Sequence, residues 1–147
     1  MIQNNGFEAG NLTGWTLTTG TNAAASNAKA YIGTYSLAIG PTSSTVATVL
    51  MSSKIMIPPG RNLFYLYWVS WNTSAVAIAV AINTYDLAGT LVGGLSIGNP
   101  SGQVGWNQNN NYAVCPPQGG YAVITITAPA NVTLTAGYLD EFLAYIN

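Results

Sequence analysis

The alternation of apolar and polar positions along this chain has the two-residue period of β-strands. Residues 75–82 read Ala-Val-Ala-Ile-Ala-Val-Ala-Ile, which puts Val76, Ile78, Val80 and Ile82 on one face and four alanines on the other. Residues 121–127, Tyr-Ala-Val-Ile-Thr-Ile-Thr, carry β-branched side chains suited to a pleated surface. Further strands are predicted over 15–19, 35–39, 45–50, 53–57, 63–71, 90–97, 132–136 and 138–146. Gly33, Gly40-Pro41, Pro58-Pro59-Gly60, Gly89, Gly98-Asn99-Pro100, Pro116-Pro117 and Pro129 punctuate them. Tyr85-Asp86-Leu87-Ala88-Gly89 reads as a hairpin turn with a structural Asp86, and the polar run Asn107–Asn111 reads as a surface loop. No ten-residue segment carries a 3.6-residue period. The expectation is an all-β chain, one domain over residues 1–147, built as an antiparallel sandwich or barrel.

One predicted strand breaks the usual alternation. In Leu63-Phe64-Tyr65-Leu66-Tyr67-Trp68-Val69-Ser70-Trp71 both faces are apolar or aromatic, whereas a strand with one solvated face alternates with polar residues. With Phe64, Leu66 and Trp68 placed toward the core, Tyr65, Tyr67 and Trp71 point outward and become candidates for contact with a partner or a sugar ring. The alanine face of the next strand also lacks charge. Cover by the same chain, an aromatic platform for sugars and burial by a second subunit all account for such faces.

Charge sharpens this picture. Of 147 residues, three are Lys or Arg and four are Asp or Glu, 5% in all, against about 25% in an average soluble domain. They are Lys29, Lys54, Arg61, Glu8, Asp86, Asp140 and Glu141, and there is no histidine. Three scattered basic residues do not support nucleic-acid binding or attachment to an acidic membrane surface. Nucleophilic triads lack their base, and zinc lacks ligands. No run approaches the roughly 18 apolar residues of a membrane helix. The polar start Met-Ile-Gln-Asn-Asn-Gly lacks the charged and apolar regions of a secretory signal. Cys115 stands alone, so it forms no internal disulfide; a small buried hydrophobe is the expected role, with an intermolecular bridge as the alternative. A formal net charge of −1 leaves the surface weakly protected against association. Asn11-Leu12-Thr13, Asn72-Thr73-Ser74 and Asn131-Val132-Thr133 fit the N-glycosylation pattern, which an Asn- and Thr-rich chain also produces by chance.

Four segments, in order, cover essentially the whole chain with a resemblance to known domains. Asn5-Gly6-Phe7-Glu8-Ala9-Gly10-Asn11-Leu12-Thr13-Gly14-Trp15 resembles the opening of carbohydrate-binding-module-like (galactose-binding-like) jelly rolls. Tyr31-Ile32-Gly33-Thr34-Tyr35-Ser36-Leu37, Pro58-Pro59-Gly60 with Phe64-Tyr65-Leu66, and Tyr138-Leu139-Asp140-Glu141-Phe142 are similar to later steps of the same domains. Within that group the chain looks most like the N-terminal domains of collagen-like repeat proteins from the spore surfaces and appendages of Firmicutes, although it has no Gly-x-y region. The resemblance implies a two-sheet antiparallel jelly-roll sandwich. It also implies core roles for Trp15 and Trp106, and a structural Ca²⁺ held by Glu8 and Asp140, with backbone carbonyls completing the shell. In the alternative, Glu8 bonds to backbone and Asp140 is a polar edge residue.

Two functions follow. The first is a self-assembling structural subunit of an extracellular or spore-surface filament, a homo-oligomer held by sheet faces and strand edges. The second is a non-catalytic carbohydrate-binding module that takes a polysaccharide on an aromatic platform. The pair Glu8 and Asp140 acting as a glycosidase acid and base has no other catalytic support, so no enzyme is expected.

Overall fold

The computed structural model describes residues 2–39, 45–71, 78–98, 105–113, 115, 117–130 and 137–147. Among these, eleven strands build a jelly-roll β-sandwich of two antiparallel sheets. They are β1 (Trp15–Thr19), β2 (Ala23–Ser26), β3 (Ser36–Ile39), β4 (Thr48–Ser52), β5 (Ile55–Ile57), β6 (Leu63–Trp71), β7 (Ala79–Tyr85), β8 (Leu91–Gly98), β9 (Asn107–Ala113), β10 (Gly120–Ala128) and β11 (Gly137–Ile146). The six-stranded sheet runs β1-β4-β10-β7-β8, with β5 also paired to β10, and the five-stranded sheet runs β2-β3-β11-β6-β9. Such crossovers bring residues far apart in sequence onto one face.

The period-2 pattern is realised on the inner faces. Val80 and Ile82 of β7 meet Ile124 and Ile126 of β10 across the six-stranded sheet, while Leu37, Val69 and Leu139 line the facing sheet, all fully buried. The N-terminal segment closes one end of this core. Phe7 stacks on Trp15 at 5.3 Å, Trp15 meets Phe142 edge-on at 5.1 Å, and Tyr67 stacks on Phe142 at 5.2 Å. The Phe142 amide donates to the Asn5 carbonyl at 3.0 Å, which ties the first residues to the last strand. The turn at Asp86 forms as expected: the Asp86 amide donates to the Thr90 carbonyl at 3.0 Å, and the Asp86 carboxylate accepts the Thr90 amide at 2.8 Å.

Three expectations need correction. Tyr65 and Tyr67 do not face outward: they are 1% and 0% exposed and stack on each other inside the sandwich. The side chains placed in the core from sequence, Phe64, Leu66 and Trp68, lie on the outer face and are half-buried. Both phases of β6 are apolar, so hydrophobicity did not separate them; the register against β11, which sets Leu139 beside Val69, does. Asn107–Asn111 is not a loop but most of β9, paired to β6 from Val69↔Asn107 to Leu63↔Ala113. Asn disfavours strands intrinsically, and tertiary pairing to a long neighbour overrides that preference. The predicted strand 132–136, residues 75–77 and the triplets at Asn72 and Asn131 lie outside the described residues, and of Trp71 only the backbone is described. Cys115 is buried, with its thiol pKa pushed up by burial and its Sγ 3.6 Å from the Ala113 carbonyl.

Candidate functional site

The two carboxylates singled out from sequence lie at the same loop. The segment between β2 and β3 turns back so that successive amides point at acidic side chains. Tyr31 and Ile32 donate their N–H groups to Asp140 Oδ2 at 2.8 and 3.3 Å, and Glu141 donates to Oδ1 at 2.8 Å. Thr34 donates to both oxygens of Glu8 at 3.1 and 3.0 Å, and Tyr35 donates to Oε1 at 2.9 Å. Between them Gly33 adopts φ +79°, and a Cβ there would sit 2.5 Å from the Glu8 carboxyl carbon. Only glycine permits that approach. Glu141 takes a positive φ of 51° at the bulge where the β11–β6 register shifts, and its Oε1 comes to the same glycine, Gly6, as Asp140 Oδ1. Asp140 is fully buried, and its pKa is raised to about 6, chiefly by that burial, against the opposing pull of the three amides.

The sequence resemblance implies a calcium ion held by Glu8 and Asp140. Calcium takes six to eight oxygen ligands. Here all four carboxylate oxygens of Glu8 and Asp140 accept main-chain N–H groups, whose partial positive charge stands where a cation's other oxygen ligands would be needed. Among the described residues no cluster of three His, Cys, Asp or Glu side chains is arranged for a metal. The residues fit a pair of anionic clamps on a loop and do not fit a calcium cage.

What the clamps position is aromatic. With its amide held by Asp140, Tyr31 lies over the outer face of the five-stranded sheet and stacks on Trp68, with ring centroids 3.9 Å apart and planes 17° from parallel. Trp106, just before β9, meets Tyr31 edge-on at 5.9 Å. Lys29 extends beside them: its Nζ donates to Ser70 Oγ at 2.6 Å and lies 5.8 Å from the Trp106 ring centre. Trp106 is therefore half-buried in a cluster outside the sandwich rather than in its core. Beyond this wall the same face runs open. Phe64 and Leu66 of β6 stand beside Tyr145 and Leu143 of β11 on one side and Tyr112 and Asn110 of β9 on the other. Tyr112 is 61% and Tyr145 52% exposed, and Gln108 and Asn110 are exposed. The result is a strip of ring faces edged by amides on one strand, with a stacked aromatic wall at its end. Rings of this kind bury apolar area while amides give directional hydrogen bonds.

Of the contact residues expected from sequence, Tyr65 and Tyr67 are excluded from this face by burial. The residues that form it were missed, although one signal pointed to them. Ser70 shares its phase with Phe64, Leu66 and Trp68 and is the lone polar side chain of the segment, which marks that phase as the outer one.

No family model and no curated protein sequence matches the chain. Solved structures do. The enzymatically active domain of tailspike protein 4 from bacteriophage CBA120 superposes with a TM-score of 0.80 at 20% identity, over 99% of this chain and 21% of that one. The chain thus spans about a fifth of that structure, and about a quarter of a similar arabinofuranosidase. The module TmCBM61, solved with β-1,4-galactotriose, superposes at 0.70 with 17% identity, over 99% of this chain and 97% of that one. The xylan-binding CBM22-1 domain of Paenibacillus barcinonensis Xyn10C superposes at 0.63 with 19% identity, over 97% and 91%. At these identities the likeness establishes the fold: the chain has the jelly-roll architecture of carbohydrate-binding modules.

Proposed function

We propose that this chain is a non-catalytic polysaccharide-binding module whose ligand lies along the outer face of the five-stranded sheet. The observation that carries the proposal is the open strip formed by Phe64, Tyr112 and Tyr145, edged by Gln108 and Asn110 and ended by Tyr31, Trp68 and Trp106. Aromatic rings stack on the apolar faces of sugar rings, and amides match hydroxyl groups. Three of the solved structures that share the fold along nearly their whole length are carbohydrate-binding modules. Structural polysaccharides lie outside cells, so an extracellular or surface location accompanies this reading. The filament subunit is the weaker account, because two of the three side chains assigned to its contact face are core residues. A relation to collagen-like spore-surface proteins rests on the sequence resemblance alone.

Affinity electrophoresis through gels containing galactan, xylan, β-glucan or pectin tests the proposal. Retardation in at least one gel is expected. It should be lost in Tyr112→Ala and Tyr145→Ala, whose exposed side chains leave the melting temperature near that of the parent. Unretarded migration in every gel, or retardation unaffected by both substitutions, would refute it.

A further inference from the structure

The charged groups around the aromatic wall separate into two kinds. Two carboxylates are committed: Asp140 to the amides of Tyr31, Ile32 and Glu141, and Glu8 to those of Thr34 and Tyr35. The ammonium group is not. Among the described residues Lys29 Nζ makes one hydrogen bond, to Ser70 Oγ, itself fully buried beneath it, and no carboxylate forms an ion pair with it. An ammonium has three donors, so two remain for a ligand. The other two cations of the chain lie elsewhere: Lys54 caps the Tyr121 ring at 4.1 Å beside the six-stranded sheet, and Arg61 follows the turn before β6.

We infer that the glycan taken by this face is acidic, a polysaccharide with uronate units, and that Lys29 receives a sugar carboxylate while the ring stacks against the Tyr31–Trp68–Trp106 wall. The inference rests on the polysaccharide-binding reading above and names its ligand class. Its basis is charge complementarity. Lys29, half-buried in a chain with so few charges, has no carboxylate partner among the described residues, and a neutral sugar laid over it would offer hydroxyl acceptors but leave the charge unneutralised. A carboxylate at the same place supplies charge-assisted hydrogen bonds, about twice as strong as neutral ones. A ring beside a single cation matches an anionic sugar, in which the negative group projects from the edge of an otherwise stackable ring. The rest of the strip, amides and tyrosines, suits the hydroxyl groups of neighbouring units.

Isothermal titration with polygalacturonate oligosaccharides, their methyl esters, and galactan and xylan oligosaccharides tests this. Methyl esterification removes the charge and keeps the ring. The expected result is binding to the free acid, weakened about tenfold or more by esterification, by Lys29→Gln and by high salt, with Lys29→Arg retaining most of the affinity. Circular dichroism and melting curves of both variants separate loss of charge from loss of fold, and Lys29→Arg keeps the comparison valid if Lys29→Gln melts early. Equal affinity for acid and ester, or binding to neutral oligosaccharides alone, overturns the acidic-ligand inference and leaves sugar binding intact. Absence of heat with every oligosaccharide overturns both.

Discussion

At the scale of single residues, Tyr65 and Asp140 are the most informative side chains. The Tyr65 hydroxyl is buried without a hydrogen-bond partner among the described residues, and burial raises its pKa to about 12. An unpartnered buried hydroxyl carries a desolvation cost of about 1–3 kcal/mol. Tyr65→Phe, which keeps the ring and its stack on Tyr67, is therefore expected to leave stability unchanged or raise it by about 1 kcal/mol. Glycan binding should not change. Urea unfolding with parallel gel retardation checks both; a loss of binding would return Tyr65 to the contact surface assigned to it from sequence. Asp140 makes a prediction about pH. Its ordinary value of 3.8 is raised to about 6 in the folded chain, mainly by burial. Between those values the folded state binds more protons than the unfolded one, so the contribution of Asp140 to stability is complete below about pH 4 and declines as pH rises through 6. A shift of that size corresponds to at most about 3 kcal/mol. Unfolding free energies at pH 4 and pH 7 should show this decline in the parent and lack it in Asp140→Asn. Identical pH dependence in the two proteins would assign the decline to other groups.

At the scale of elements, the loop between β2 and β3 and the strand β9 show what topology adds to sequence. The loop has no regular hydrogen bonding of its own, and its shape is set by two carboxylates from opposite ends of the chain. Glu8→Ala removes three amide contacts on an exposed side chain, worth about 1–2 kcal/mol after solvent screening. The melting temperature should fall by a few degrees, and hydrogen exchange at Thr34 and Tyr35 should quicken. Because the donors are amides, added calcium or excess chelator should leave the melting temperature of the parent unmoved. A stabilisation by calcium that Glu8→Ala abolishes would establish the metal site instead. Much of the strand pattern was legible: β1, β3, β6, β10 and β11 lie within one or two residues of their predicted spans, because each is a run rich in β-branched, aromatic or other apolar residues, most of them with turn residues at their ends. Two strands were not. β2, Ala23–Ser26, and β9, Asn107–Ala113, are built from poor strand formers at the sheet edges, and only their pairing with β3 and β6 makes them strands. The candidate site was illegible for a related reason. Tyr31 and Trp106 sit in connections, and what brings them to Trp68 is the Asp140 contact and the β9–β6 pairing, neither of which is local in sequence.

At the scale of the molecule, the two outer faces differ, and the difference predicts separable behaviours. The outer face of the five-stranded sheet is aromatic and amide-rich. Most of that of the six-stranded sheet is uncharged, carrying Thr16, Val49, Met51, Ala79, Ala81, Thr125 and Thr127, while toward one end Tyr121 stacks on Tyr85 under the Lys54 ammonium. Electrostatic repulsion between copies is weak, since the formal net charge is −1 and the isoelectric point is about 4.8. Proteins near zero net charge associate most readily. Light scattering in concentrated solution should therefore peak near pH 5 and fall away from it, and Thr127→Lys, which puts an ammonium at the middle of the uncharged face, should suppress it. Because Thr127 and the Tyr112–Tyr145 strip lie on opposite sides of the sandwich, the same substitution should leave glycan affinity unchanged. Suppression of scattering by soluble oligosaccharide instead would place the self-contact on the aromatic face. In that case binding of sugar and association of copies would compete for one surface, and the low charge of the chain would serve the glycan site rather than a separate interface.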